Sequence, residues 1–296
     1  MRKWKSDRGL EFRMLVTMIL LGVVYLAFLA VLWYLNAGAL LTIIFIGGFM
    51  FLQYFYSDRM VLWSMGAKVV SESEAPELHE MVTRLCAIAD LPKPKIAIVQ
   101  TSVPNAFATG RNQKNAVVAV TTGIMQQLNR SELEAVLAHE LTHVKNRDAM
   151  VLTIASFLST LAFYLVRYLL LFGGSGGSRR DRDSGGNIII VWLVSVVVYA
   201  VSYLLLMALS RYREFAADRG SAVITGQPSN LASALMKISG VMPRIPTEDL
   251  RKVEGANAFF IIPAVSKSSI FNLFSTHPSL DARLAALERI ERELEA

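Results

Sequence analysis

Two histidines and a glutamate have the types and spacing needed to hold a metal ion beside a general base. They are His139, Glu140 and His143, in the stretch His-Glu-Leu-Thr-His. Residues four apart lie on one face of an α-helix, so the two imidazoles can converge on one ion. Glu140 is rotated by about 100° from His139 and lies beside that ion rather than on it. There it can take a proton from metal-bound water, whose pKa zinc lowers to about 7.

The local sequence predicts a helix around this motif. Ser131 followed by Glu134 has the spacing of a capping box. The range 132–146 contains neither proline nor glycine. Apolar residues recur at helical spacing at Leu133, Val136, Leu137, Leu141 and Val144.

The motif lacks a third metal ligand, and without one it could be an accidental match. The chain has four histidines, so a third imidazole could come only from His79 or His277. A carboxylate in the stretch Arg-Glu-Phe-Ala-Ala-Asp, residues 213–218, is the better candidate. Glu214 can complete a site with water in the fourth position, and Asp218 can accept the remaining N–H of one ligand histidine. The alternative is that both acids pair with neighbouring arginines on a solvated helix face.

The distribution of apolar residues predicts a membrane protein. They make up 53% of the chain and are concentrated in the blocks 14–35, 37–56, 150–172 and 188–209. Each block has about 20 residues or more, which is enough to cross roughly 30 Å of hydrocarbon. The first block could be a cleavable signal peptide, but it is long for one and a second block follows at once. We therefore expect four transmembrane helices in two hairpins.

Positive charge predicts the orientation of these helices. Basic residues precede the first block and the turn 36–38 has none, so the positive-inside rule places the N-terminus in the cytoplasm. The expected localisation is multi-pass in the cell (inner) membrane, with the soluble parts in the cytoplasm. The loop 173–187 opposes this rule, because it carries three arginines on the far side. Either this loop is a tolerated exception or the second hairpin does not cross fully.

The expected domain organisation has four parts. Residues 1–56 and 150–209 form the transmembrane hairpins. Residues 57–149 form the cytoplasmic part with the His-Glu-Leu-Thr-His helix, and residues 210–296 form the cytoplasmic part with the third ligand. Because the chain between His143 and Glu214 must cross the membrane an even number of times, a hairpin between the two cytoplasmic parts is consistent with one shared metal site.

The predicted fold class is α+β and predominantly helical. Helices are expected over 76–89, around the motif, over 229–239 and over 279–295. Short runs rich in β-branched residues, separated by turn residues, predict strands at 95–100, 105–109 and 116–121. We expect these strands to form a small antiparallel sheet.

Further residues are candidates for binding substrate or metal. Asn105, Ala106 and Phe107 could form an edge strand to which an extended substrate adds its backbone, or an ordinary core strand with Phe107 facing inward. His277 could stabilise an oxyanion or become a fourth metal ligand, or it could simply pack at the start of the last helix. His79 and the single cysteine, Cys86, are expected to be structural.

The two motifs together resemble those of the HtpX-type membrane proteases, which are relatives of the Ste24 CAAX prenyl proteases. The segments 105–110 (Asn-Ala-Phe-Ala-Thr-Gly) and 275–278 (Ser-Thr-His-Pro) resemble elements of the same family, so the resemblance covers essentially the whole chain. It implies a zincin-like metalloprotease domain in which His139, His143 and Glu214 bind one zinc ion. It also implies that Glu140 is the catalytic base and that Asp218 supports the ligands.

The resemblance and the residues together predict a zinc-dependent endopeptidase. Its expected substrates are misfolded or membrane-associated polypeptides, in quality control under stress. A CAAX prenyl protease is one alternative, although such enzymes have more membrane spans. A non-proteolytic membrane scaffold or chaperone stabilised by zinc is the other. The net charge of +6 reflects the membrane topology, and no nucleic-acid-binding pattern is present. The sequence does not indicate the oligomeric state.

Overall fold

The computed structural model describes residues 8–34, 44, 47–48, 51, 55–56, 59–172, 182–242, 261 and 277–295. The chain divides into two compact units. The apolar unit comprises Arg8–Tyr54 and Val151–Leu209, and the α+β unit comprises Met1–Asp7, Phe55–Met150 and Ser210–Ala296.

Helices outnumber strands among the described residues, in agreement with the predicted, predominantly helical α+β fold. Along the chain the elements are α1 (Arg8–Tyr34), β1 (Lys68–Val69), α2 (Pro76–Ala89), β2 (Lys95–Val99), β3 (Ala106–Thr109), β4 (Val117–Thr121), α3 (Thr122–Gln127), α4 (Arg130–Asn146), α5 (Asp148–Phe172), α6 (Arg182–Thr225), α7 (Pro228–Val241) and α8 (Leu280–Glu295). A short 3₁₀ turn, Gln113–Asn115, precedes β4.

The apolar unit is held together by contacts between α1, α5 and α6. Leu21 and Tyr25 of α1 are buried in a cluster with Ala155 and Leu209. The Tyr25 hydroxyl donates a hydrogen bond to the main-chain oxygen of Ala155 at 2.5 Å. Other large apolar side chains of α1, such as Leu26, are exposed. An apolar surface around a whole helix is typical of contact with lipid.

Two helices among the described residues are long and apolar enough to cross a membrane. They are Arg8–Val31 and Ile189–Thr225, which overlap the predicted spans 14–35 and 188–209. The helix at the start of the predicted span 150–172 is also apolar, over Asp148–Tyr164. The predicted span 37–56 lies mostly outside the described residues.

The sheet of the α+β unit is mixed, so the predicted antiparallel sheet is wrong. Its strand order is β1-β2-β4-β3. β2 pairs with β4 in parallel, whereas β1 with β2 and β3 with β4 are antiparallel. All five residues of β4 are buried, so this strand takes a central position and β3 pairs on its far side. Alternation within short runs predicts strands but does not determine which strand lies beside which.

Helices α2, α4 and α7 contribute to the same core as the sheet. Ile96, Leu85, Val136, Val118 and Leu235 are members of one buried cluster. The packing against α2 and α7 buries the apolar stripe of α4 that the sequence predicts.

Helix α4 is capped two residues earlier than the sequence suggested. Asn129, not Ser131, caps it: its side chain accepts the N–H of Glu132, and the Glu132 carboxylate accepts the N–H of Asn129. Glu132 also binds Ser233 at 2.6 Å and Lys237 at 2.8 Å, both on α7. The predicted capping box of Ser131 and Glu134 is therefore wrong. The Glu132 carboxylate is held by α7 on one side and by the N–H of Asn129 on the other, and this favours Asn129 as the cap.

Candidate metal centre

Helices α4 and α6 bring together the side chains that the sequence indicates as candidate metal ligands. The Nε2 atoms of His139 and His143 are 3.1 Å apart. Glu214 Oε1 is 3.4 Å from His143 Nε2, and Glu214 Oε2 is 3.7 Å from His139 Nε2. Ligands about 2.0–2.1 Å from a tetrahedral ion are about 3.3 Å from one another. The three side chains therefore fit one ion of this geometry with a fourth position open.

Close contact between the two helices makes this convergence possible. Gly220 of α6 faces Thr142 of α4, and a Cβ atom on Gly220 would lie 2.3 Å from Thr142 Cγ2. The next residue, Ser221, donates its hydroxyl hydrogen to the main-chain oxygen of Ala135 at 2.6 Å. Only glycine allows α6 to approach α4 this closely, and Glu214 lies on the same helix.

Asp218 lies behind His139. Its Oδ1 is 3.0 Å from His139 Nδ1. Arg283 of α8 binds both oxygens of Asp218, with Nε donating to Oδ2 at 2.9 Å and Nη2 to Oδ1 at 2.6 Å. Asp218 and Arg283 are both buried. A proton on His139 Nδ1 shared with Asp218 leaves Nε2 free for a metal.

Asp148 lies behind His143, and no pattern in the sequence indicated this role. Its Oδ2 is 2.6 Å from His143 Nδ1, and its other oxygen pairs with Arg213. A spacing of five residues does not place two side chains on one helical face. Here Arg147 adopts a left-handed conformation (φ 55°) between α4 and α5, which brings Asp148 back beside His143. The role of Arg283 was not predicted either, because a residue 65 positions from Asp218 shows no sequence pattern that relates the two.

Glu140 interacts with the three candidate ligands and with the main chain of Ala108 on β3. Burial raises the pKa of its carboxyl group and the charge of Glu214 raises it further, whereas His139, His143 and the main-chain N–H of Ala108 lower it. The net effect is a raised pKa, which favours a group that exchanges protons near neutral pH.

The electrostatics of the other acids favour a bound cation. Burial raises the pKa of Glu214, but His277, His139 and His143 lower it more, so that it ends well below its usual value. Burial also raises the pKa of Asp218, and Arg283 and His139 outweigh this effect. Both groups are therefore ionised carboxylates in the α+β unit, outside the apolar stretch that ends at Leu209.

β3 is an outer strand of the described sheet. The main-chain oxygen of Asn105 accepts the N–H of Thr121 on β4 at 2.9 Å. Because such pairs alternate along an antiparallel ladder, the main-chain groups of Ala106 and Ala108 point away from β4. The Ala108 N–H reaches Glu140 from this side.

The side chains of the predicted substrate segment are buried. Ala106 and Phe107 belong to the core cluster. The Asn105 side chain accepts the N–H of Ile261 at 3.1 Å. Phe107 therefore faces inward, as in the alternative of a core strand, and only the main chain of this segment lies at the edge.

The remaining histidines and the cysteine differ in their relation to the site. His277 Nδ1 is 3.1 Å from Glu214 Oε2, so the segment just before α8 contacts the candidate third ligand. His79 Nε2 lies 3.1 Å from the main-chain oxygen of Val70. Cys86 is a core residue, and burial raises the pKa of its thiol to about 11.

Comparison with known proteins agrees with this arrangement of fold and site, which is that of a metallopeptidase. The chain belongs to peptidase family M48, whose sequence profile matches residues 72–291. Two proteins named "Protease HtpX homolog 2", from Methanosarcina acetivorans and Methanosarcina mazei, are each 69% identical over 293 residues, covering 99% of both chains. The "Protease HtpX homolog" of Moorella thermoacetica is 62% identical over 294 residues, or 99% of this chain and 98% of that one.

A solved structure shares the fold. The crystal structure of S. mikatae Ste24p superposes with a TM-score of 0.56 at 17% identity, covering 95% of this chain and 67% of that one. At this identity the likeness concerns the fold alone. The family and the relatives together identify the chain as an HtpX-type, membrane-bound metalloprotease, and its substrates are polypeptides.

Proposed function

We propose that this protein is a zinc-dependent endopeptidase that crosses the cell membrane four times and degrades misfolded or membrane-associated proteins on the cytoplasmic side. The observation that supports it most is the convergence of His139, His143 and Glu214, with ligand atoms 3.1, 3.4 and 3.7 Å apart and Glu140 beside them.

These three side chains would hold the zinc ion. Two imidazoles and one carboxylate suit zinc better than the harder divalent cations, and three protein ligands leave the open position of a catalytic site. When bound, zinc supplies a Lewis acid that polarises a peptide carbonyl and lowers the pKa of water to about 7.

Glu140 acts as the catalytic base. It accepts a proton from the attacking water and delivers that proton to the amine that leaves. The N–H of Ala108 donates to its carboxylate and so restricts its position. A structural zinc site would be closed by four protein ligands and would not use Glu140.

The substrate backbone pairs with the outer edge of β3. This role is supported by the main-chain groups of Ala106 and the main-chain oxygen of Ala108, which point away from β4. The side chains of Asn105 and Phe107 contribute by anchoring this strand to the core, since both are buried. Recognition through main-chain groups implies broad sequence selectivity.

His277 stabilises the oxyanion of the tetrahedral intermediate or takes the fourth ligand position. Support comes from its contact with Glu214 at 3.1 Å. Both roles need a nitrogen near the metal ligands, and the contact of His277 with Glu214 supports this placement.

The expected substrates follow from the positions of the apolar blocks. The block 150–172 begins seven residues after His143, and the block 188–209 ends five residues before Glu214. Polypeptides that are unfolded or tethered to the membrane would reach such a site most readily. Quality control of membrane proteins is the corresponding role.

Zinc-dependent cleavage of casein tests this proposal. The full-length protein is purified in detergent with a chelator and assayed with and without added Zn²⁺. The wild type should cleave only with zinc, whereas Glu140→Gln should lose activity by about 100-fold or more while still binding zinc. Glu134→Gln, a matched change on the same helix, should cleave normally. Metal-dependent cleavage that survives in Glu140→Gln would exclude the assigned base.

A further inference from the structure

Each of the two ligand histidines is backed by its own carboxylate and arginine. Behind His139 lie Asp218, 3.0 Å from Nδ1, and Arg283. Behind His143 lies Asp148, with Oδ2 at 2.6 Å from Nδ1. Asp148 in turn pairs with Arg213. The chain of histidine, aspartate and arginine behind His143 thus has the same order as the one behind His139, but its aspartate and arginine come from other helices.

The Asp148 pair is buried and fixed by the backbone. Asp148 is 6% exposed and Arg213 is 3% exposed. Asp148 is the first residue of α5, and the left-handed conformation of Arg147 directs it toward His143. An ion pair excluded from water in this way contributes orientation as well as charge.

We propose that Asp148 is a positioning residue for His143, held in place by Arg213, and that it determines which imidazole nitrogen faces the metal. Asp148 accepts the proton of Nδ1, so Nε2 carries the free lone pair. This nitrogen is the one 3.1 Å from His139 Nε2 and 3.4 Å from Glu214 Oε1. The inference rests on the ligand set proposed above and extends it.

Helix α6 then supports every metal ligand. Glu214 is itself a ligand, and Asp218 orients His139. Arg213, the residue before Glu214, orients His143 through Asp148. Because these side chains lie within six residues of one helix, docking of α6 on α4 brings Arg213, Glu214 and Asp218 to the site together.

Metal affinity tests this role without using proteolysis. The wild type, Asp148→Ala and Asp148→Asn are stripped of metal, and zinc binding is measured by competition with a chromophoric chelator. Asp148→Ala should bind zinc about 10- to 100-fold more weakly, as is usual when the partner of a ligand histidine is lost. Asp148→Asn should lose less, because its amide oxygen still accepts the Nδ1 proton. Asp281→Ala, which removes an exposed acid on α8, should match the wild type.

A purely structural ion pair is distinguished by spectroscopy. Cobalt(II) replaces zinc, and its absorption bands report the geometry of the ligands. The bands should shift in Asp148→Ala while far-ultraviolet circular dichroism stays as in the wild type. If Asp148→Ala does not fold, Asp148→Asn is measured instead. It should still bind zinc more weakly than the wild type and shift the bands, because a neutral amide oxygen accepts the Nδ1 proton less strongly than a carboxylate. Folded variants with wild-type affinity and spectrum would overturn the inference.

Failure of the inference and failure of the proposed function give different results. Asp148 variants with wild-type zinc affinity, in a protein that cleaves casein, would remove only the positioning role. A wild type that binds zinc and loses affinity in Asp148→Ala, but cleaves nothing, would remove only the proteolytic role. A wild type that binds no stoichiometric metal would overturn both.

Discussion

Gly220 packs directly against Thr142, at a distance that leaves no room for a side chain on Gly220. A Cβ atom there would lie 2.3 Å from Cγ2 and 2.4 Å from Oγ1 of Thr142. This contact determines how closely α6 approaches α4, and with it the distance between Glu214 and the two histidines.

Gly220→Ala should therefore destabilise the protein and weaken metal binding. Overpacking of a closely packed contact costs about 1–3 kcal/mol, and the shift of α6 would move Glu214 from its position. Thermal unfolding in detergent and chelator competition measure the two effects. Combining the change with Thr142→Ala should restore part of the stability.

A second glycine supplies the control for this experiment. A Cβ atom on Gly240, in α7, would meet nothing within 4 Å. Gly240→Ala should leave metal affinity unchanged and add up to about 1 kcal/mol of stability, because alanine restricts the unfolded chain. Equal effects of the two alanines would contradict the role of the Gly220 contact.

The ligand and base roles predict opposite results for neighbouring residues. His139→Ala and Glu214→Gln should each lose the bound zinc, since each removes one of three protein ligands. Glu140→Gln should keep one zinc ion per chain and lose activity. Metal content after dialysis, measured by atomic emission, tests this prediction, and full zinc occupancy in Glu214→Gln would contradict the ligand set.

Arg283→Lys should be far more damaging than a surface charge swap. Arg283 is 2% exposed and binds both oxygens of Asp218, and lysine cannot reproduce this two-pronged geometry. Loss of the partner of a buried charge costs about 3–5 kcal/mol, an upper value here because lysine keeps the charge. We expect a lower unfolding temperature and weaker zinc binding.

Arg219→Lys is the matched control. Arg219 pairs with Glu293 at 2.9 Å, where the Glu293 side chain is 47% exposed. Pairs with such access to water contribute about 0–1 kcal/mol. A comparable loss of stability in both variants would show that the pair of Asp218 and Arg283 has no special role.

The proposed topology predicts on which side of the membrane single cysteines react. Cys86 is the only native cysteine and is replaced by alanine. In that background, Ser73→Cys in the α+β unit should react with an impermeant reagent only after cells are opened. Ser178→Cys, in the loop between the last two apolar blocks, should react in intact cells. Protection of Ser178→Cys in intact cells would show that the second hairpin does not cross.

Much of the helical architecture could be predicted because it depends on local pattern. The helix over 76–89 is present as α2, and the last helix begins one residue from its expected start. The order of the strands could not be predicted, because pairing depends on which strand is most completely buried. That strand is β4, all of whose residues are buried.

The sequence by itself determined the group of residues suited to metal chemistry. His139, Glu140 and His143 lie within five residues, and helix geometry alone relates their side chains. Glu214 and Asp218 are likewise related by one turn of a single helix. That the two motifs form one metal site was inferred from chemistry, because two histidines need a third ligand to hold the metal.

Only the tertiary structure decided what surrounds the two histidines. Asp148 reaches His143 because the chain turns at Arg147, and Arg283 reaches Asp218 from 65 residues further along the chain. These contacts arise from the packing of α4, α5, α6 and α8 in three dimensions. Helical spacing relates residues only a few positions apart. Buried charges, in contrast, pair with residues that the packing of the core brings close in space.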